Sequence, residues 1–333
     1  MHKKLAASIV ALRLFWAIQI FPTAVLPPTI QRRRPWVHCL YLDNGLKYHP
    51  RSVGISRLRW FPMPRRHQKA GSTRTRPWLC FLPGAPKTEM VAVVSSSSVF
   101  SMVTGGWAMR PGHLSNQPVH PSQNPGKALE GAFRNTDDDI FASMGADVEY
   151  SGSTGVVAML DQGQRMLTMA NVGDSRAVLG RLEGSTWCAI PLTTDLKPDL
   201  PEERERIELS GGTVCQFRDD EGVEAGPFRV WDGPACEKPG LAVSRSLGDG
   251  AARALGVTAI PVVTKHHLQP QDKFLIIATD GLWDSLDNQE VIRIVAKFQN
   301  MPSIALKALT EAVRRMEGDE LSDDTTILLI RFA

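Results

Sequence analysis

Hydrophobic and polar residues follow a clear period only in the later part of the chain, from about residue 127 onward. Between Lys127 and Ile140, apolar residues recur on one face of a helix, and Asp137, Asp138 and Asp139 are expected on its solvent side. We therefore predict that a packed domain is recognisable from about residue 127.

The segments that follow predict buried strands and capped helices. Apolar runs at residues 156–160 and 166–172, separated by a turn at 161–163, predict an antiparallel hairpin. The later predicted elements are a helix that Asp199 and Glu202 cap and that runs through Ser210, a strand at 274–278, a helix that Asp287 and Glu290 cap, a helix at 304–316 and a strand at 325–332. Because strands and helices are segregated, an α+β fold is favoured over a doubly wound sheet.

The amino-terminal part lacks such periods and is interrupted by Pro and Gly. Residues 5–26 are mostly apolar, which is typical of a secretory signal or a membrane span, but Arg13 lies near the middle. Such an Arg costs about 2.5–3.5 kcal/mol on insertion scales, so membrane association through this segment is not favoured. The Arg-rich, acid-poor sequence also fits an organelle transit peptide. We expect residues 1–98 to be a poorly ordered basic leader and residues 99–333 to form the domain.

Charge separates the same two parts of the chain. Residues 1–125 contain 17 Lys and Arg and two acids, whereas residues 126–333 contain 21 Lys and Arg and 33 acids. The basic part has no stacking module, so nucleic-acid binding is not expected. The five cysteines show no CxxC pair and no His at metal-ligand spacing. We expect free, partly buried thiols, and neither a zinc site nor a disulfide framework.

Aspartates recur where predicted strands begin or end. Asp280 follows the strand at 274–278, and Asp174 follows the second strand of the hairpin. The other members of this set are Asp249, Asp323 and Asp324. Carboxylates without nearby Cys or His are the ligands that Mg²⁺ or Mn²⁺ prefers, although each aspartate alone is more often part of a turn. The set as a whole therefore predicts a site for a hard divalent cation.

Six strings in chain order carry a specific resemblance. They are residues 151–154, residues 170–178, residues 192–198 followed by Glu203, Arg206 and Gly211-Gly212, residues 239–249, residues 272–284, and residues 322–326. In this order they resemble the metal-dependent, type 2C or PPM, family of protein Ser/Thr phosphatases. The neighbourhoods of Trp231 and Gly240 look most like plant, algal or protist members.

The resemblance implies an αββα sandwich, in which two antiparallel sheets lie between helix pairs and a metal pair lies at one end. In such an enzyme, two metal ions hold a bridging water or hydroxide that attacks phosphorus in line. The implied cofactor is Mg²⁺ or Mn²⁺, the implied partners are phosphorylated protein substrates in signalling, and a monomer is expected. The family implies the cytoplasm or nucleus and the leader implies an organelle or membrane, so the compartment stays open.

Residue by residue, the resemblance implies that Asp280 and Asp323 are metal ligands. Asp174 matches an acid linked to an additional metal or its waters, and Asp249 matches an acid that holds metal-bound water. Asp324 stands where Asn is frequent, a substitution that plant-like members share. Residues 151–154 resemble a phosphate cradle in composition, but the family gives them a structural role at the start of a core strand.

The family's amino-terminal motif is not present as such in this sequence. That motif has an Arg and an acidic residue, and then a DGHGG string whose Asp bridges both metals and whose His is the general acid. The nearest remnant is residues 99–107, which contain neither Asp nor His, and Asp43 and Glu89 lack family context. No catalytic residue is therefore assigned, and at most one weak metal site is expected.

Three interpretations stay open. The chain is an active Ser/Thr phosphatase with a divergent amino-terminal part, or a metal-poor pseudophosphatase that binds phosphoproteins or a kinase as a scaffold, or an incomplete or wrongly assembled phosphatase chain. If the amino-terminal part supplies no opening strands, sheet edges are left uncovered from residue 127 onward, and such edges recruit other chains.

Overall fold

The computed structural model describes strands at residues 37–43, 80–81, 89–94 and 101–104, and then residues 124–161, 163–218, 222–318, 323 and 325–332. The helices are α1 (Pro125–Met144), α2 (Pro201–Leu209), α3 (Gly250–Arg253), α4 (Asp280–Trp283), α5 (Asn288–Lys297) and α6 (Pro302–Met316), and a 3₁₀ turn spans Gly145–Val148. None of the helices in these ranges is long and apolar enough to cross a membrane. The apolar stretch at 5–26 lies outside the described residues.

The strands fall into two large sheets and two small ones. They are β1 (Val37–Asp43), β2 (Cys80–Phe81), β3 (Glu89–Val94), β4 (Ser101–Thr104), β5 (Gly152–Ser153), β6 (Gly155–Asp161), β7 (Met166–Val172), β8 (Arg176–Glu183), β9 (Thr186–Pro191), β10 (Gly212–Arg218), β11 (Glu224–Asp232), β12 (Pro239–Leu241), β13 (Leu247–Gly248), β14 (Val262–His267), β15 (Asp272–Ala278) and β16 (Thr325–Arg331). One large sheet has the order β1-β16-β15-β8-β9, and the other has the order β14-β7-β6-β3-β4-β2. Most pairs are antiparallel, but β1 is parallel to β16 and β2 is parallel to β4, which the expectation of purely antiparallel sheets did not include.

Successive residues of the central strands pack on opposite faces of the sheet, and this forms the layers of the fold. In β15, Leu275 and Ile277 pack into the core between the two large sheets, whereas Ile276 packs against α5 and α6 on the other face. On the far side of the six-stranded sheet, α1 covers the strands with Leu129 and Phe133. The order helix, sheet, sheet, helix confirms the predicted αββα sandwich and the α+β class.

Several predicted elements are confirmed with their local chemistry. The hairpin forms from β6 and β7, and every residue of β6 is buried except the last, Asp161. The side chain of Asp287 accepts a hydrogen bond from the Glu290 amide at 2.8 Å and caps α5 as expected. The predicted strands at 274–278 and 325–332 correspond to β15 and β16.

Two local predictions are wrong. The residue that precedes α2 is Leu200, and no side chain caps this helix, so Asp199 does not have the predicted capping role. Asp137 was expected to face solvent, but its Oδ1 accepts hydrogen bonds from the Gly248 amide at 2.8 Å and from Arg253 Nη2 at 2.7 Å. The helical period cannot reveal this contact, because the partners are more than 110 residues away.

Strands from the amino-terminal part lie in both large sheets. β1 pairs with β16, and β3 pairs with β6 along its whole length. The edges of β6 and β16 are therefore paired, and the uncovered edges expected in the absence of opening strands do not occur there. The division at residues 98 and 99 stays a prediction, because β1 and β3 lie before it and most of the leader lies outside the described residues.

The β10-β11-β12 sheet and α2 form a smaller part of the fold with its own apolar core around Ile207 and Val230. Cys215 in β10 and Cys236 after β11 form a disulfide, so the expectation of free thiols is wrong for this pair, whereas Cys188 is free. The bond joins residues 21 positions apart, a spacing that matches no recognisable cysteine motif.

A buried ion cluster attaches α2 to the rest of the fold. The carboxylate of Glu203 in α2 accepts hydrogen bonds from Arg206 at 2.8 and 2.9 Å and from Arg245 at 2.6 to 3.2 Å. Burial alone would raise the pKa of Glu203, but the hydrogen bonds from the two arginines and Ser244 lower it to about 2. The Glu and Arg of this string therefore have a structural role.

Candidate metal-binding active site

Asp280 lies at the point where β15 ends, next to the beginning of β16 in the five-stranded sheet. The Thr279 amide donates to the carbonyl of Thr326 at 3.1 Å, and the Thr326 amide donates to Thr279 Oγ1 at 3.0 Å. Asp280 is the first residue of α4, and its Oδ1 accepts a hydrogen bond from the Gly281 amide at 3.1 Å. These bonds fix the backbone on both sides of the carboxylate.

Asp174 reaches the same end of the sandwich from β7. The turn before it needs glycine, because Gly173 has φ of 95° and a Cβ there would lie 2.3 Å from Thr154 Cγ2. Thr154 in turn shares a hydrogen bond of 2.8 Å with Ser175. Residues 151–154 thus pack beneath the turn that carries Asp174, in agreement with a structural role for that string.

Three carboxylates act on Asp280. Burial raises the pKa of Asp280, and the negative charges of Asp174, Asp323 and Asp284 raise it further, to about 6. Asp323 is exposed just before β16, and Asp284 is exposed one turn after Asp280. The structure therefore brings the predicted Asp174, Asp280 and Asp323 into one acidic group, which we call the Asp280 cluster, with Asp284 as a fourth member.

Lys197 is a basic partner of Asp174 in this cluster. Its Nζ donates a hydrogen bond to Asp174 Oδ2, and both side chains are largely buried. Burial lowers the pKa of Lys197, but the Asp174 carboxylate raises it, so that it lies above its ordinary value. Lys197 therefore remains an ammonium ion at neutral pH.

Asp249 lies in a different group of charges. Its amide donates to the carbonyl of Ser151 at 2.8 Å, and its carboxylate lies directly over Gly152, where a Cβ would clash at 2.0 Å. Burial raises its pKa, and the charges of Arg253 and Asp137 act on it as well. Its predicted role with metal-bound water stays a prediction, and Asp324 lies outside the described residues.

The donor set fits one hard divalent cation in type and charge. The Asp280 cluster offers only carboxylate oxygens, and their mutual repulsion is what a cation would relieve. Across the described residues, however, no three His, Cys, Asp or Glu side chains lie close enough together to hold an ion. Because the sequence lacks the bridging Asp motif, the expectation stays at most one weakly held cation.

Neither histidine whose side chain is described takes part in the cluster. His266 and His267 lie on β14, and His266 Nε2 is 3.0 Å from Asp272 Oδ2. Asp272 begins β15, whereas Asp280 follows its other end. The two histidines with described side chains thus add no general acid to the site.

Sequence reasoning did not assign Asp284 or Lys197 to the site. Asp284 had a usable signal, because it follows Asp280 by four residues and so lies on the same face of a helical turn. Lys197 had no signal beyond its place in residues 192–198, one of the strings that carry the family resemblance, because its contact with Asp174 spans 23 residues.

The chain is similar to known proteins over much of its length. The sequence model of the family described as protein phosphatase 2C matches residues 90–320. Two relatives from Arabidopsis thaliana are the probable protein phosphatase 2C 73, 41% identical over 55% of this chain and 48% of its own length, and the probable protein phosphatase 2C 72, 39% identical over 61% of both.

The fold has solved counterparts as well. A serine-threonine phosphatase 2C from Toxoplasma gondii superposes with a TM-score of 0.55 at 24% identity, over 63% of this chain and 68% of that one. The chain spans only about half to three-fifths of the length of the two plant relatives. The resemblance to plant members is confirmed, and, since the family match covers more than half of its residues, the chain belongs to the protein phosphatase 2C family.

Proposed function

We propose that this chain hydrolyses phosphoserine and phosphothreonine in proteins with the help of a divalent cation, Mg²⁺ or Mn²⁺, held at the Asp280 cluster. The observation that carries the proposal is the concentration of negative charge there, which raises the pKa of Asp280 to about 6. Family membership supplies the reaction class. A monomeric state, the absence of a nucleic-acid partner and a membrane association through residues 5–26 that is possible but not favoured stay predictions.

The residues of the cluster have distinct proposed roles. Asp280 and Asp323 hold the cation, and Asp174 offers it a third carboxylate from the buried side. When bound, such a cation supplies positive charge for the phosphoryl oxygens and a water of lowered pKa. The hydrogen bonds at Thr279 and Gly281 keep the Asp280 carboxylate in place and so reduce the reorganisation that cation binding requires.

We expect this hydrolysis to be slow. The departing serine or threonine oxygen needs a proton, and the histidines with described side chains lie away from the cluster. We propose that water supplies that proton, which gives up the advantage of a positioned general acid, about 10²- to 10⁴-fold in rate.

A second candidate function is the binding of phosphoproteins without hydrolysis, as a scaffold. One observation favours it: no three potential ligands among the described residues are arranged to hold a metal ion. The two candidates make opposite predictions for phosphate release, and both require the same fold.

The test is phosphate release from a phosphothreonine peptide by the full chain, with Mn²⁺ and then with a chelator. We expect slow, Mn²⁺-dependent release that Asp280→Asn lowers by about 100-fold or more, because a cation loses an anionic ligand. Asp138→Asn, at an exposed position of α1, is the matched control and should leave the rate unchanged. Release that survives chelation, or that Asp280→Asn does not alter, contradicts the proposal, and peptide binding without any release favours the scaffold.

A further inference from the structure

We propose that Lys197 is a built-in counter-cation, which neutralises Asp174 when no metal ion is bound and competes with a divalent cation for that carboxylate. The inference rests on the proposed cation site but not on turnover. It assigns Lys197 the role of a positioning residue that sets how strongly the Asp280 cluster binds cations.

The first support is the contact itself. Lys197 Nζ donates to Asp174 Oδ2, and the exposed fraction of the Asp174 side chain is only 8%, against 27% for Lys197. A buried carboxylate without a positive partner would be strongly destabilising. The ammonium group therefore does for Asp174 what a bound cation would otherwise do.

The second support is the rigid segment that delivers Lys197. The amide of Leu196 donates to the carbonyl of Gly173 at 3.0 Å, and the carbonyl of Leu196 accepts from the Ser244 amide at 2.9 Å. Asn171 Nδ2 also bonds the carbonyl oxygens of Gly173, at 3.2 Å, and Thr194, at 2.8 Å. The backbone next to Lys197 is thus tied to the same turn that carries Asp174, so the pair is built into the fold.

The third support is that Arg176, another basic residue near the cluster, makes its hydrogen bonds to other partners. Arg176 donates to both oxygens of Asp195, at 2.8 and 2.6 Å, and to Asn288 Oδ1 at 2.7 Å. These bonds use its guanidinium on partners outside the Asp280 cluster. The charge of Arg176 still acts on Asp174 and Asp284, but its hydrogen bonds go elsewhere, whereas Lys197 hydrogen-bonds Asp174 directly. A divalent cation that binds at Asp174 is therefore repelled by the Lys197 ammonium group at close range.

The test compares the full-length chain with Lys197→Met, which keeps the length of the side chain and removes its charge, and with Lys197→Arg, which keeps the charge. Thermal melting in chelator and calorimetric titration with Mn²⁺ are the two measurements. We expect Lys197→Met to melt several degrees lower than the parent in chelator and to bind Mn²⁺ about tenfold more tightly. Lys197→Arg should remain close to the parent in Mn²⁺ affinity.

Arg181→Met is the matched control. It breaks another partly buried ion pair, with Asp272, about 25 Å away at the opposite end of β15. It should lower the melting temperature without changing Mn²⁺ affinity, which separates general destabilisation from a local effect on cations.

Two results overturn the inference. An unchanged melting temperature of Lys197→Met in chelator shows that Lys197 does not neutralise the cluster. Mn²⁺ affinity that is unchanged, weaker or still undetectable in Lys197→Met shows that Lys197 does not compete with the cation. Neither measurement uses phosphate release, so a protein that behaves as expected here but hydrolyses no phosphopeptide contradicts only the proposed function.

Discussion

The two ends of β15 carry carboxylates in opposite electrostatic situations. At its start, Asp272 is fully buried, and burial alone would raise its pKa. Arg181 donates to both of its oxygens, at 2.7 and 3.3 Å, and the Gln269 amide donates at 2.8 Å. These bonds, with His266 beside them, lower the pKa of Asp272 below its ordinary value.

At the other end, Asp280 is surrounded by charge of its own sign. Burial and three neighbouring carboxylates raise its pKa to about 6, and Lys197 only partly opposes this shift. Asp272, at the start of β15, is thus paired with a positive charge, whereas Asp280, just after its end, lies mainly among negative charges. The comparison teaches that Asp272 has charged partners that favour its ionised form, whereas the ionised form of Asp280 is disfavoured by its surroundings, as expected for the proposed cation site.

The largest expected effect on stability comes from breaking the ion pair between Arg181 and Asp272. Arg181→Met leaves Asp272 buried without its main partner and should lower the free energy of unfolding by about 3 kcal/mol, as urea denaturation would measure. Arg134→Met, which breaks the exposed pair with Glu130, is the control and should cost about 0.5 kcal/mol or less. Equal, small losses in both variants would show that Asp272 does not depend on Arg181.

The next largest effect is an increase in stability, and it is expected from a substitution at Asp280, at the other end of β15. Asp280→Asn removes a negative charge from the cluster and keeps an oxygen for the Gly281 amide. It should raise the free energy of unfolding in chelator by about 1 kcal/mol, after allowance for solvent screening. Asp272→Asn should lower it, because the Arg181 guanidinium loses its ionic partner. If both substitutions change the free energy of unfolding in the same direction, the proposed contrast between Asp272 and Asp280 is wrong.

The pH dependence of stability should also distinguish the two ends. The folded state binds a proton at Asp280 more tightly than the unfolded state, so its contribution is present below pH 3.8 and is lost as the pH rises through about 6. Asp272, with a lowered pKa, contributes stability above its ordinary pKa and loses it as the pH falls. Urea midpoints in chelator should therefore decline less between pH 4 and pH 7 in Asp280→Asn than in the parent, and parallel declines would contradict the assignment.

The smallest effect on stability is expected at Asp323, which is exposed. Asp323→Asn should change the free energy of unfolding by no more than about 0.5 kcal/mol. Calorimetry of the parent should show one weak Mn²⁺ site or none, and this variant should weaken it further, because an anionic oxygen pair becomes neutral. Two strong sites would mean that the basic amino-terminal part supplies ligands, with Asp43 and Glu89 its only carboxylates.

Elements whose evidence is local could be predicted from the sequence. The β6–β7 hairpin and the Asp287 cap of α5 depend on residues within a few positions of each other, and both form as expected. The ordered strings identified the family, and through it the meeting of Asp174, Asp280 and Asp323, although the segments that carry them are far apart in the chain. Their action as ligands stays a prediction.

Features that arise from long-range contacts could not be read in this way. Neither the ion pair of Lys197 with Asp174 nor the disulfide between Cys215 and Cys236 has a signal in residue spacing. Asp137 was misplaced because a helical period identifies the apolar face but not a polar contact with a distant loop. The sequence did not predict β1 and β3, although β1 is as long as β6, because the Pro-rich, basic residues around them show no period and β16, the partner of β1, lies far along the chain.

The position of β16 has a consequence for how the chain folds. β16 lies between β1 and β15 in the five-stranded sheet, although 281 residues separate β1 from β16 in the chain. Contacts between residues so distant in sequence form slowly, because a very long loop has to close first. Translation proceeds at about 5–20 residues per second, and β1 cannot pair with β16 until the residues of β16 have been translated. The five-stranded sheet is therefore completed after translation of its other strands, and β1 is exposed to chaperones and to other nascent chains for longer than any other strand of that sheet.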